Sequence, residues 1–133
     1  MKKTFFIISA GIIIVFIQAR NMHDGGSKEE LGKLLFFDPI LSRDSTISCA
    51  SCHKPEYAFA DNSATSHGVG GIQGRRNTPS TMNVALQKIF FWDGRAPTLR
   101  DQALRPIQDT LEMNESLENV VAKLSEDQKF KDQ

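Results

Sequence analysis

The sequence predicts an all-α fold of short helices joined by long loops, and three observations carry that reading. Apolar residues recur at helical spacing in separated stretches that open on capping residues. No βαβ pattern is present, and the connecting stretches are rich in Gly, Pro, Ser and Asn. The third observation is Cys49-Ala50-Ser51-Cys52-His53, a C-x-x-C-H segment of the kind to which haem is covalently attached in c-type cytochromes. The two thiols add across the haem vinyl groups as thioethers. Two intervening residues let both reach one porphyrin edge, and the adjacent imidazole falls beneath the iron, making His53 the proximal ligand. The expected architecture is therefore a small all-α domain whose helices and long loops wrap around one covalently attached haem c.

Met1-Lys2-Lys3 is a positive start, residues 4–17 are an almost unbroken apolar run and Ala19 is a small residue near its end, so residues 1–19 read as a secretory signal peptide. The run is shorter than the roughly 20 residues that span a bilayer, and an uncleaved anchor is the competing reading. Residues 20–27 form a flexible lead-in, and a single domain is expected over residues 28–133. Its first helix, Lys28 to Phe37, carries Leu31, Leu34 and Leu35 on one face, with Ser27 and Glu30 as a capping box and Asp38-Pro39 as the stop. Residues 40–48 read as turns, and a short helix begins at Cys49.

Residues 62–77 contain four glycines in seven positions, Gly68 to Gly74, and predict a mobile loop without helix or strand, lying over the haem. The run lacks the Gly-Lys-Ser/Thr ending of a phosphate-binding loop. Asp93-Gly94-Arg95 is a turn. Thr98 caps a helix carrying Leu99, Ala103 and Leu104 that is expected to stop at Pro106. Asn114 caps the last helix, whose stripe is Leu117, Val120, Val121 and Leu124, with the pattern continuing to Phe130.

Sixteen basic and sixteen acidic residues cancel, which gives no field to attract nucleic acid or an anionic membrane. Two other chemistries compete for the cysteines. A thioredoxin-type redox pair would sit near a βαβ unit, and zinc would need a second ligand pair, which His23 and His67 do not form. A structural disulfide remains open. Export agrees with the haem reading, since bacterial haem attachment takes place outside the cytoplasm and implies a periplasmic protein. A domain this small gains buried area from a large apolar cofactor, so the haem-free chain is expected to fold poorly.

Five segments in one order carry a family resemblance: Leu31-Gly32-Lys33-Leu34-Leu35-Phe36-Phe37-Asp38-Pro39, Ser48 to His53, Arg76-Asn77-Thr78-Pro79, Phe91-Trp92-Asp93-Gly94-Arg95 and Glu112-Met113-Asn114. Together they resemble the bacterial di-haem cytochrome c peroxidases and the related methylamine-utilisation enzymes. The resemblance implies an enzyme of two cytochrome c-like domains. The N-terminal haem reduces hydrogen peroxide to water, and the C-terminal haem takes electrons from a small soluble donor such as a cytochrome c or cupredoxin. With a single C-x-x-C-H, this chain matches the N-terminal domain, and the second haem and a homodimer are expected of the longer protein.

By the same resemblance, His53 is the proximal ligand and Glu112 the distal acid–base carboxylate. Gln102 is a distal amide that positions peroxide, Trp92 lies on the electron path between haems, and Asn77 is a calcium ligand. From residue type alone Glu112 would be a helix-start acid, Gln102 a solvated helix residue, Trp92 core and Asn77 a turn former. One departure stands out. Where typical members carry a loop histidine that ligates the resting iron, this chain has Val69, with His67 two residues earlier. Either His67 reaches the iron or the distal position is open, and the open site is the preferred expectation. The competing function is a mono-haem electron carrier, which needs an axial methionine, Met82 or Met113.

Overall fold

The computed structural model describes residues 26–131; the expected signal peptide and most of the lead-in lie outside them. Five helices order the described residues: α1 (Lys28–Phe37), α2 (Cys49–Cys52), α3 (Leu99–Gln108), α4 (Leu117–Glu126) and α5 (Gln128–Lys131). Tight single turns at Pro39–Leu41, Pro55–Tyr57, Val69–Gly71 and Val84–Leu86 punctuate the loops. The β-type pairing among these residues consists of three isolated antiparallel bridges, Lys54 with Ala60, His67 with Gln73 and Phe90 with Ala96.

The first helix opens as its sequence dictates. Ser27 Oγ accepts the Glu30 N–H at 3.2 Å while Glu30 Oε2 accepts the Ser27 N–H at 3.0 Å, satisfying two donors that helix geometry leaves without partners. At the other end Asp38 stops the helix before Pro39, and its Oδ1 accepts the Ile40 N–H at 3.0 Å to start the next turn. Ser42, fully buried, pins the chain between that turn and Ile47. Its Oγ donates to Pro39 O at 3.0 Å and accepts the Ile47 N–H at 3.3 Å, while its carbonyl receives Lys123 Nζ from α4 at 2.7 Å.

The core lies among α1, α3, α4 and the Pro39–Leu41 turn. Leu41, Ile107, Met113 and Val120 form one buried cluster, with Leu35, Ile40, Ile47, Leu117 and Leu124 packed around it. At about 25 cal/mol per Å² of apolar surface removed from water, such a cluster supplies the main drive to fold this half.

Several boundaries differ from those the sequence predicts. Helix α3 passes through Pro106 and ends at Gln108. A proline in the last turn forfeits a single backbone bond, and continuing the helix buries Ile107. The cap of α4 is Ser116, whose Oγ accepts the Asn119 N–H at 3.1 Å; Asn114 instead takes a left-handed conformation, φ 50°, which asparagine tolerates. Val121 is 67% exposed, so the inward stripe of α4 is narrower than its apolar residues suggest. The helical pattern breaks at Asp127 before α5 resumes and buries Phe130. The glycine run folds into one tight turn in which Gly70 and Gly71 take φ values of 69° and 73°, and hydrogen bonds close its base: Ser66 N–H to Arg76 O at 3.1 Å and Gly74 N–H to Ser66 O at 2.8 Å.

Candidate active site

The C-x-x-C-H motif occupies α2 and the residue that caps it. Ser48 N–H donates to Ser51 Oγ at 2.9 Å at the entry, and His53 N–H donates to Cys49 O at 2.8 Å at the exit. Residues three apart share a helix face, so one turn presents both sulfurs on the same side with the imidazole directly after them. Both thiols are unpaired and half-buried. Burial pushes each above the ordinary thiol range, and the charges of Asp61 and Glu112 add to this at Cys52. Reactive redox or zinc-binding cysteines are held as thiolates by an electropositive setting, and these surroundings favour the neutral form.

The imidazole is fixed from behind. His53 Nδ1 lies 3.0 Å from Phe59 O. A carbonyl oxygen can only accept, so Nδ1 carries the proton and Nε2 keeps its lone pair for a metal. That carbonyl is aimed by a strained turn in which Ala58 and Phe59 take φ values of 55° and 57°. Phe59 N–H to Lys54 O at 2.9 Å, Lys54 N–H to Ala60 O at 3.0 Å and the Lys54 Nζ–Asp61 Oδ1 pair at 2.7 Å close the turn. Phe36, at the end of α1, packs its ring against both His53 and Phe59, with centroids 6.4 and 6.0 Å away. Two sulfurs on one helical face and an imidazole with a set tautomer fit a covalently attached haem, which would be held by Cys49, Cys52 and His53.

The fold also draws Glu112 toward the motif. It sits half-buried in the turn between α3 and α4, its N–H donating to Asp109 O at 3.0 Å and its carbonyl accepting the Val69 N–H at 2.8 Å. Burial pushes its carboxyl above the usual range; nearby Asp109 adds to the shift and Arg95 opposes it. The link to the motif runs through the glycine loop, whose Val69 bonds the Glu112 carbonyl and whose His67 carbonyl lies 3.8 Å from Cys52 Sγ.

Gln102, singled out by sequence, lies half-buried in α3, and among the described residues its amide makes no hydrogen bond to the motif or to Glu112. Trp92 is 71% exposed, with the Arg76 guanidinium stacked 4.3 Å from its ring centroid, so its plain reading as core residue is wrong. Asn77 Nδ2 donates to Ser63 O at 2.5 Å and Asp61 O at 3.5 Å, which leaves Oδ1 as the atom a cation would use. His67 is exposed; its backbone carbonyl faces Cys52 Sγ at 3.8 Å. Met113 is buried in the core and Met82 is exposed. Sequence reasoning missed the Phe59 carbonyl, a backbone atom that leaves no residue-type signal.

The model of the family described as di-haem cytochrome c peroxidase matches residues 26–133. The chain belongs to that family. It is 45% identical over 97 residues to the methylamine utilization protein MauG of Methylorubrum extorquens, covering 73% of this chain and 28% of that protein. To the cytochrome c peroxidase Ccp of Escherichia coli it is 46% identical over 107 residues, covering 80% of this chain and 23% of that protein. The diheme peroxidase BthA of Burkholderia thailandensis superposes with a TM-score of 0.68 at 36% identity, covering 74% of this chain and 29% of that one. The chain thus spans about a quarter of the length of the curated family members it matches.

Proposed function

We propose that this chain forms the peroxide-reducing haem domain of a two-haem peroxidase, converting hydrogen peroxide, two protons and two electrons into two molecules of water. The observation that supports this most directly is the placement of Glu112, a half-buried carboxyl whose turn is bonded through the Val69 N–H to the same loop that sets the His67 carbonyl 3.8 Å from Cys52 Sγ of the attachment motif. Bound to Cys49, Cys52 and His53, a haem would supply the iron that holds peroxide and the electrons that split it.

The chain's own residues handle protons and orientation. Cleaving the O–O bond needs a proton removed from one peroxide oxygen and delivered to the other, and one carboxyl facing both does this without bulk water. Glu112 takes that role, since a carboxyl raised by burial gains and loses protons closer to neutral pH than an exposed one. Gln102 orients peroxide or water by its amide, and Trp92 carries electrons that enter through the second haem from a small soluble donor protein. Val69 leaves the distal side open, with His67 on the surface, and Asn77 Oδ1 contributes to a calcium site completed by the rest of the protein. The location is the periplasm, reached through residues 1–19. The burial of Met113 in the helical core argues against its use as the axial ligand of an electron carrier.

Replacing Glu112 by Gln tests the reading. The expected result is an unchanged haem absorption spectrum with peroxide turnover reduced by about 10²- to 10⁴-fold. An unchanged rate removes Glu112 from the mechanism.

A further inference from the structure

Three consecutive residues of the glycine loop touch the two halves of the candidate active site. The His67 carbonyl faces Cys52 Sγ at 3.8 Å. Gly68 lies against the Leu111-Glu112 backbone so closely that a Cβ there would fall 2.2 Å from Leu111 O and 2.6 Å from Glu112 O. The Val69 N–H donates to Glu112 O at 2.8 Å. Gly68 has φ −90°, open to any residue, so space and not dihedral freedom restricts this position to glycine. The opposite side of the same turn is also fixed: Glu112 N–H donates to Asp109 O, and Met113 O accepts the Arg43 N–H at 2.9 Å.

We propose that Gly68 and Val69 are positioning residues, a backbone latch that sets Glu112 at a fixed distance from the haem-attachment helix. The proposal rests on the reading of Glu112 as proton carrier. Gly68 permits the close approach, the Val69 amide fixes the carbonyl of Glu112, and the Gly68 N–H to Ile72 O bond at 2.8 Å keeps the loop tip closed behind them. A side chain at residue 68 would push the loop and the Glu112 turn apart by a distance comparable to an atomic radius. Displacements of about 1 Å in a catalytic group cost on the order of 10²-fold in rate.

The test uses the haem-loaded protein with Gly68→Ala and Val69→Pro, each made in the native background and together with Glu112→Gln. Val69→Pro keeps Gly68 and removes the donor; Gly68 is extended, with φ −90° and ψ −169°, a conformation that a following proline accepts. In the native background each variant is expected to lower kcat/KM for peroxide by about 10- to 100-fold. In the Glu112→Gln background the same substitutions should have little further effect, because a latch that acts through Glu112 has nothing left to position. Equal losses in both backgrounds, or none in the native one, overturn the proposal. Amide hydrogen exchange supplies a reading independent of turnover: the Val69 amide of the unsubstituted protein should exchange slowly, and Gly68→Ala should speed exchange in residues 66–74 and 109–114 together. Fast exchange at Val69 before any substitution overturns the latch even if a variant fails to load haem. Full activity of Glu112→Gln alone is a separate outcome, which removes the proton-carrier reading and the latch with it.

Discussion

The half of the molecule built from α1, α3 and α4 buries Leu41, Ile107, Met113 and Val120 in one cluster, whereas residues 54–97 leave Tyr57, Ile72, Met82, Leu86, Ile89 and Trp92 substantially exposed. The first region is an apolar core closed by capped helices. The second buries Phe90 and Ala96 and is otherwise held by backbone bonds across tight turns, by the Lys54–Asp61 pair and by guanidinium–ring stacking at Arg76 over Trp92 and Arg95 over Phe91. The candidate site is strung between them: Met113 roots the Glu112 turn in the core, while the turn that aims Phe59 O at His53 belongs to the loop region. Stability thus rests mainly on the core region while the site draws on both, and substitutions should separate the two contributions.

The largest effect is expected at the root. Met113 is 4% exposed, and Met113→Ala deletes most of its side chain while leaving its backbone bonds to Pro106 and Arg43 in place. Cavity formation in a core of this kind costs about 2–5 kcal/mol. Urea unfolding monitored by circular dichroism should show that loss, with the visible haem spectrum unchanged. A spectral change typical of a lost sulfur ligand would instead return Met113 to the iron and revive the electron-carrier reading.

A smaller effect should come from the ionic tie between α4 and the rest of the core region. Lys123 Nζ lies 2.6 Å from Glu115 Oε2 and donates to Ser42 O at 2.7 Å, and Glu115 Oε1 accepts the Ser116 N–H and Asn119 Nδ2 at 2.9 and 3.1 Å. The Lys123 hydrogen bond holds the Glu115 carboxyl below its usual range. A folded-state pKa below the unfolded one stabilises the protein above the unfolded value and loses that contribution as pH falls through the folded value. Glu115→Gln is therefore expected to cost about 2 kcal/mol at neutral pH, the scale of a hydrogen bond to a charged group. Through the acid range the stabilities of native and variant proteins should converge. A gap that persists in acid would mean the side chain acts by packing and not by charge.

How legible these regions were in the sequence depends on the forces that hold each one. Ser27 with Glu30, Thr98 with Asp101 and the Cys49–Cys52 helix announce themselves through local chemistry, and all three stand where the pattern puts them. The end of α3 and the cap of α4 do not, because burial of Ile107 carries the helix past Pro106 and the turn around Glu112 shifts the cap from Asn114 to Ser116. Within the candidate site, Cys49, Cys52 and His53 were proposed from spacing and Glu112 from the family motif, since no residue-type signal marks a carboxyl residue whose backbone carbonyl is bonded to the glycine loop. The backbone carbonyls of Phe59, facing His53, and of Glu112, bonded to Val69 N–H, have no residue code and could be found only in the folded chain.

The smallest expected effect is the sharpest test of the contrast between the two regions. Leu86 is 82% exposed in the Val84–Leu86 turn, and its backbone N–H donates to Asn83 O whatever side chain it carries. If the loop region is held by its backbone, Leu86→Ser should change unfolding stability by no more than about 0.5 kcal/mol, the range of surface substitutions that disturb no packing. The comparison is best made in the haem-loaded protein by the same urea titration used for Met113→Ala. A loss above about 1 kcal/mol would exceed that range and mean that Leu86 is covered in the working protein, by haem or by another part of the polypeptide. The exposed side chains of Met82, Leu86, Ile89 and Trp92 would then form a contact surface and not a solvated loop, and the two regions would differ in when they bury their apolar side chains, not in whether they do.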